Sequence, residues 1–204
     1  MADHDFGTES SETIYAGKIL ALRVDDVHMP GDTVARREVV EHFGAVAVVA
    51  LDENDRVAMV YQYRHPVARR LWELPAGLLD VGGEDPARTA ARELHEEAGL
   101  AAENWSVLVD LVTSPGFADE SVRVFLATGL SQIDRPEAEH EEADLKLDWV
   151  PLAEAVRRVL SGEIVNSIAV AGILAAHAAT DRSVLRPADS PWTDKPHAFA
   201  ARQG

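Results

Sequence analysis

Cysteine is absent from the 204 residues. That excludes disulfide staples, thiolate zinc sites and cysteine nucleophiles, so any metal must sit on oxygen or imidazole. Basic residues are in short supply, 19 Lys and Arg against 35 Asp and Glu, for a formal charge of −16. Such a field repels nucleic acid and anionic lipid surfaces, so neither is an expected partner. A small phosphate ester remains possible where local arginines or cations reverse the sign. Long apolar runs are missing too: the longest, Ala45 to Leu51, is strand-sized and far below the ~20 residues that span a bilayer. The segment 1–12 is acidic and polar and lacks the apolar core of a signal peptide, which makes the cytoplasm the expected location.

What is present suits a folded protein. Apolar residues make up 47% and charged residues 26%, and the length fits one domain with a small extra lobe. After a flexible acidic tail over 1–12, two extended runs flank Pro30-Gly31-Asp32 and read as an N-terminal antiparallel lobe over 13–43. The Val/Ala-rich run from Ala45 to Leu51 predicts a strand buried on both faces, followed by another over Val57 to Tyr63. Leu71 to Leu74 is a short strand candidate, and the Gly-rich stretch Gly77 to Glu84 reads as a loop. A helix follows, with Asp85 as N-cap, Pro86 in its first turn and Gly99 as a left-handed C-cap. Ala87, Ala90, Ala91, Leu94 and Ala98 form a narrow small-residue stripe that lets this helix lie close to a sheet. Strands at Trp105 to Val112, Ser121 to Thr128 and Leu145 to Val150 come next, then helices over Leu152 to Leu160 and Ser167 to Ala178. This order predicts an α+β fold, a mixed sheet sandwich between helices, with its main domain over 44–180 and a C-terminal tail without periodicity over 181–204.

On the Asp85 helix, Glu93, Glu96 and Glu97 stand opposite the alanine stripe. Glu93 and Glu97 are one turn apart, so their charges repel. An acidic helix face of this kind is either simply solvated or a chelating face for hard divalent cations, magnesium or manganese rather than zinc.

The wider pattern speaks for chelation. Gly77 to Leu100 resembles the box of the Nudix hydrolases, G-x5-E-x7-R-E-U-x-E-E-x-G-U, in which U is bulky and apolar. Glu84, Arg92-Glu93-Leu94-His95-Glu96-Glu97 and Gly99-Leu100 match in register, and only the leading loop differs, with six residues between Gly77 and Glu84 instead of five. The resemblance implies the Nudix fold and cation-dependent hydrolysis of a nucleoside diphosphate linked to another group. It makes Glu93 and Glu97 the principal metal ligands, Glu96 a further one, and Arg92 the residue that orients them.

Outside the box, Ser114-Pro115-Gly116-Phe117 carries a proline spaced like the marker of the ADP-ribose pyrophosphatase subfamily, although an ordinary inter-strand turn also favours proline. Arg36-Arg37-Glu38, Gln62-Tyr63-Arg64, Leu71-Trp72-Glu73-Leu74-Pro75-Ala76-Gly77 and Asn166-Ser167 are similar to that subfamily as well. The resemblance then implies conversion of ADP-ribose to AMP and ribose 5-phosphate with Mg²⁺ or Mn²⁺. It gives the Ala76 carbonyl as a further metal ligand and Arg64, Leu78, Ser114, Gly116 and Glu120 as substrate contacts. Arg36 and Arg37 would reach the ligand from the second subunit of a homodimer with exchanged N-terminal lobes; for Arg36, next to Arg37 on an exposed strand, surface charge is the other reading. Glu142, in the acidic run Glu137 to Glu142, is the expected catalytic base and an added metal ligand. His95 and His140 lack ligand-spaced partners and read as surface or packing residues. The other readings are a Nudix hydrolase of a nucleotide sugar or a dinucleoside polyphosphate, and a non-catalytic nucleotide sensor.

Overall fold

The computed structural model describes residues 4–136 and 144–203. Their α-carbon contacts divide into two compact units, one of Met1–Gly44, Val112–Ser121 and Asp194–Gly204, the other of Ala45–Leu111 and Val122–Thr193.

The first unit is built on an antiparallel sheet of β1 (Thr8–Ala16), β2 (Leu20–Met29) and β3 (Thr33–His42), in that spatial order. Its sheet starts at Thr8, inside the segment expected to be a tail. The turn between β2 and β3 places Gly31 and Asp32 at φ 84° and 57°, as a tight reversal there requires. A short C-terminal helix, α4 (Ala198–Gln203), sits against β3. Phe199 is fully buried and meets Phe43 edge-on, with ring centroids 4.6 Å apart. Glu41, also buried, is held by Arg23 and Arg202. The expected C-terminal tail is therefore structured in part. One aromatic anchor in a six-residue helix leaves no periodicity to read.

The second unit centres on β4 (Ala45–Ala50), every residue of which is buried. Its strands are completed by β5 (Arg56–Arg64), β6 (Arg69–Glu73), β7 (Ala76–Leu78), β8 (Leu100–Val112), β9 (Ser121–Gln132), β10 (Lys146–Pro151) and β11 (Arg186–Pro187). One sheet has the order β11-β8-β9-β4-β7, with β4 parallel to β9; a second has the order β10-β5-β6. β4 alternates between two cores, as its continuous apolarity predicted. Ala47 and Val49 join Met59, Val124 and Ile173 of α3 (Ser167–Ala178), with α2 (Leu152–Leu160) adding Ala155. Val46 and Val48 join Ala90, Leu94 and Ala98 of α1 (Pro86–Ala98). Ala90, Leu94 and Ala98 of the expected small-residue stripe are thus on the buried face of α1, with Ala87 partly buried beside them, whereas Ala91 is exposed: it lies a step of about 100° round the helix from Ala90 and leaves that face. Among the described residues no helix is long and apolar enough to cross a membrane.

Candidate functional site

Helix α1 is fixed at both ends by local chemistry. The Asp85 carboxylate accepts the Ala87 N–H, Pro86 opens the first turn, and Gly99, at φ 64°, returns its N–H to the carbonyls of His95 and Leu94. Residues 133–135 close the C-terminal end from a distance. The Ile133 N–H donates to the Gly99 carbonyl at 2.9 Å, and Arg135 Nε to the Glu96 carbonyl at 2.6 Å. His95 Nε2 lies 2.7 Å from the Asp134 carbonyl, so this histidine packs the helix end.

The face of α1 away from Leu94 meets β7. Gly77, expected in a loop, lies in this strand opposite Val46, and Leu78 lies opposite Ala45. A β-carbon at position 77 would collide with the Glu93 carboxylate, so any larger residue there would push that side chain from its place. The Ala76 N–H donates to Glu97 Oε2 at 2.9 Å. Glu97 is only 7% exposed, which corrects the expectation that it stands on an open face: β7 covers it.

Both carboxyls hold protons well above the ordinary range. Burial pushes Glu97 up to about 8; the Ala76 N–H opposes this while the neighbouring Glu93 charge adds to it. Burial likewise raises Glu93 to about 7, against the pull of Arg92. Arg92 Nη1 donates to Glu93 Oε1 at 2.7 Å and Glu96 Oε2 at 2.9 Å, and its Nη2 to Glu84 Oε2 at 3.3 Å. Burial works against the Arg92 charge, but the three glutamates outweigh it and its pKa rises. Glu84, matched in sequence without a role, also accepts from Thr89 Oγ1 at 2.9 Å. It is the residue that steadies Arg92.

With Arg92 on Glu93 and Glu96, no group of three or more His, Asp or Glu side chains stands ready around a metal ion among the described residues. The donor set nevertheless fits a hard divalent cation. It consists of carboxylate oxygens beside a strand backbone, and two of the carboxylates are buried in charged form only at a cost that an added positive charge would offset. A cleft of about 480 Å³ lined in part by Arg56, Leu100 and Trp149 includes none of these carboxylates, nor does one of about 840 Å³ lined in part by Gly99, Ile133 and Arg135, so cavity size alone does not locate the site.

Arg64 belongs to the same unit. It forks onto the buried Glu73, a residue to which the sequence alone gives no role. A charge set inside the apolar stretch Leu71-Trp72-Glu73-Leu74 was the available signal. Arg36, Arg37, Ser114, Gly116 and Glu120 belong to the first unit. Arg36 lies 3.8 Å from Asp26, and Arg37 Nη1 donates to the Arg36 carbonyl. The Ser114 carbonyl accepts from the N–H groups of Phe117 and Ala118, which folds the turn containing Gly116. Glu120 accepts from Thr113 Oγ1 and faces His42 Nδ1 at 3.5 Å. Glu142 lies outside the described residues, as do Glu137, Glu139 and His140.

Residues 41–167 match the NUDIX domain model. The chain belongs to the Nudix family. A nucleoside diphosphate sugar hydrolase N-terminal domain model matches residues 7–40 of this Nudix protein. The ADP-ribose pyrophosphatase of Mycobacterium tuberculosis (strain ATCC 25618 / H37Rv) is 66% identical to it over 204 residues, covering 100% of this chain and 99% of that one. The ADP-ribose pyrophosphatase of Bacillus subtilis (strain 168) is 41% identical over 160 residues, 78% of this chain and 86% of its own. The methanol dehydrogenase activator of Bacillus methanolicus is 39% identical over 166 residues, 81% and 89%. In fold, the Nudix chain is similar to the crystal structure of an ADP compounds hydrolase, with TM-score 0.74 at 18% identity over 90% of this chain and 98% of that one.

Proposed function

We propose that this Nudix protein hydrolyses the diphosphate of ADP-ribose to AMP and ribose 5-phosphate, with Mg²⁺ or Mn²⁺ as cofactor. The observation that carries the reading is the neighbouring pair of half-buried Glu93 and buried Glu97 on the helix that packs against β7, both with raised pKa. The substrate rests on the name of the relative that matches the chain end to end.

Glu93, Glu96 and Glu97 would hold the cation together with the Ala76 carbonyl. When bound, it screens the diphosphate and lowers the pKa of a coordinated water. Arg92 keeps the glutamates aligned through its three contacts, and Glu142 serves as general base, worth ~10²–10⁴ in rate. Arg64, Leu78, Ser114, Gly116 and Glu120 contact the ligand, and Arg36 and Arg37 do so from the partner in a homodimer with exchanged N-terminal lobes. The enzyme works in the cytoplasm.

A phosphatase-coupled assay over ADP-ribose, UDP-glucose and a diadenosine polyphosphate tests the substrate. The highest kcat/KM is expected for ADP-ribose. The N-terminal match to a nucleoside diphosphate sugar hydrolase domain makes UDP-glucose the pointed competitor, and a clear preference for it would overturn the assignment while leaving the hydrolytic chemistry in place.

A further inference from the structure

Glu73, near the end of β6, is 3% exposed, yet neither of its oxygens is idle. Arg64 Nη2 donates to Oε2 at 2.7 Å, and Arg64 Nε lies 3.1 Å from Oε1 and 3.2 Å from Oε2. Gln62 Nε2 donates to Oε2 at 3.1 Å. The arrangement is asymmetric: the Glu73 side chain is 4% exposed and that of Arg64 is 42% exposed. A half-exposed arginine paired with an exposed acid swings freely, because leaving the pair costs little. Here departure would strand a buried carboxylate without its counter-charge, which is strongly unfavourable. The pair also stands close enough to the helix carboxylates for both of its charges to act on Glu97.

We infer that Glu73 is a positioning residue for substrate recognition: from inside the sheet it fixes the direction in which the Arg64 guanidinium meets the diphosphate-bearing ligand, with Gln62 steadying the Oε2 atom that Arg64 Nη2 also holds. The inference rests on the proposed function. The competing account is that the pair merely ties β5 to β6.

The test compares wild type, Glu73→Gln, Arg64→Lys and the double variant. It reads kcat and KM for ADP-ribose with Mg²⁺, calorimetric binding of ADP-ribose to the metal-free protein, and Tm. Glu73→Gln keeps the size and loses the charge; Arg64→Lys keeps the charge and loses the fork. Each single substitution is expected to raise KM about tenfold with kcat changed less than about threefold, as loss of one charge-assisted fork predicts. In the Arg64→Lys background, Glu73→Gln should add less than about twofold, because the two act as one unit. A lowered Tm with KM and calorimetric affinity unchanged, or independent multiplying effects on KM, overturns the inference. Should Glu73→Gln fail to fold, Arg64→Lys decides alone, and an unchanged KM there refutes the role. Wild type that neither binds nor cleaves ADP-ribose defeats the functional reading and the positioning role with it. Wild type that does both beside an unaltered Glu73→Gln defeats only the latter.

Discussion

Glu97 carries the sharpest conflict between stability and activity. It is buried by β7 and has one oxygen on the Ala76 N–H, with Glu93 as a like-charged neighbour. Glu97→Gln removes the charge that burial penalises while keeping the shape. We expect turnover to fall at least about a hundredfold, the scale on which metal sites respond to lost ligand chemistry, while Tm of the metal-free protein rises at pH 8. Differential scanning calorimetry beside the coupled assay checks both. A pH dependence follows from the same pair. Folded Glu93 and Glu97 bind protons up to about 7 and about 8, whereas their unfolded counterparts release them near 4.5, as ordinary glutamates do. Between those limits the folded state holds more protons, so stability of the chelator-treated protein falls as pH rises from about 4.5 through 8. Adding Mg²⁺ should restore more stability at pH 8 than at pH 5, and equal gains at both would place the cation elsewhere. At this scale the sequence disclosed residue types and spacing, because chelation is written in local chemistry. It did not disclose that Glu97 is covered, since a distant strand of three residues does the covering.

Elements were legible where their boundaries are local. Asp85, Pro86 and Gly99 delimit α1 as composition predicts, and the alternation of β4 between two cores follows from its unbroken apolarity. Gly77 was misplaced in a loop because β7 is held by pairing with β4 rather than by its own propensity. The Arg135 contact with the Glu96 carbonyl spans 39 positions, beyond any local pattern. Gly99 joins both kinds of information: its φ is 64°, and a β-carbon there would lie 3.2 Å from the Ile133 carbonyl oxygen. Gly99→Ala should therefore destabilise the protein by about 1–2 kcal/mol, the cost of a left-handed alanine. Urea denaturation with an unchanged m-value would confirm that the loss is local to the cap.

The division of the whole molecule was legible only in outline. The N-terminal sheet was expected from its turn residues, but its unit also draws in Val112–Ser121 and Asp194–Gly204. Those segments are recruited by contacts distant in sequence, such as Phe199 on Phe43, Arg202 on Glu41 and the Asp119 N–H on the Val40 carbonyl, which no periodicity announces. Phe199→Ala should cost about 3–5 kcal/mol, as for other large aromatic truncations in a core. Its effect should appear as faster hydrogen exchange in β2 and β3, with the amides of β4 unaffected; loss of protection in β4 alone would contradict the division.

A unit assembled from three separated stretches has a further consequence in time. Its three strands follow one another through short turns, but the stretch Val112–Ser121 and the short closing helix join them from far along the chain, and such distant pairings form slowly. After dilution from denaturant, the amides of β4 and β9 should become protected before those of the Phe117 turn and the Phe199 helix. The turn that carries Ser114 and Gly116, proposed above to contact the ligand, would then arrive last, and enzymatic competence would lag behind the recovery of bulk secondary structure.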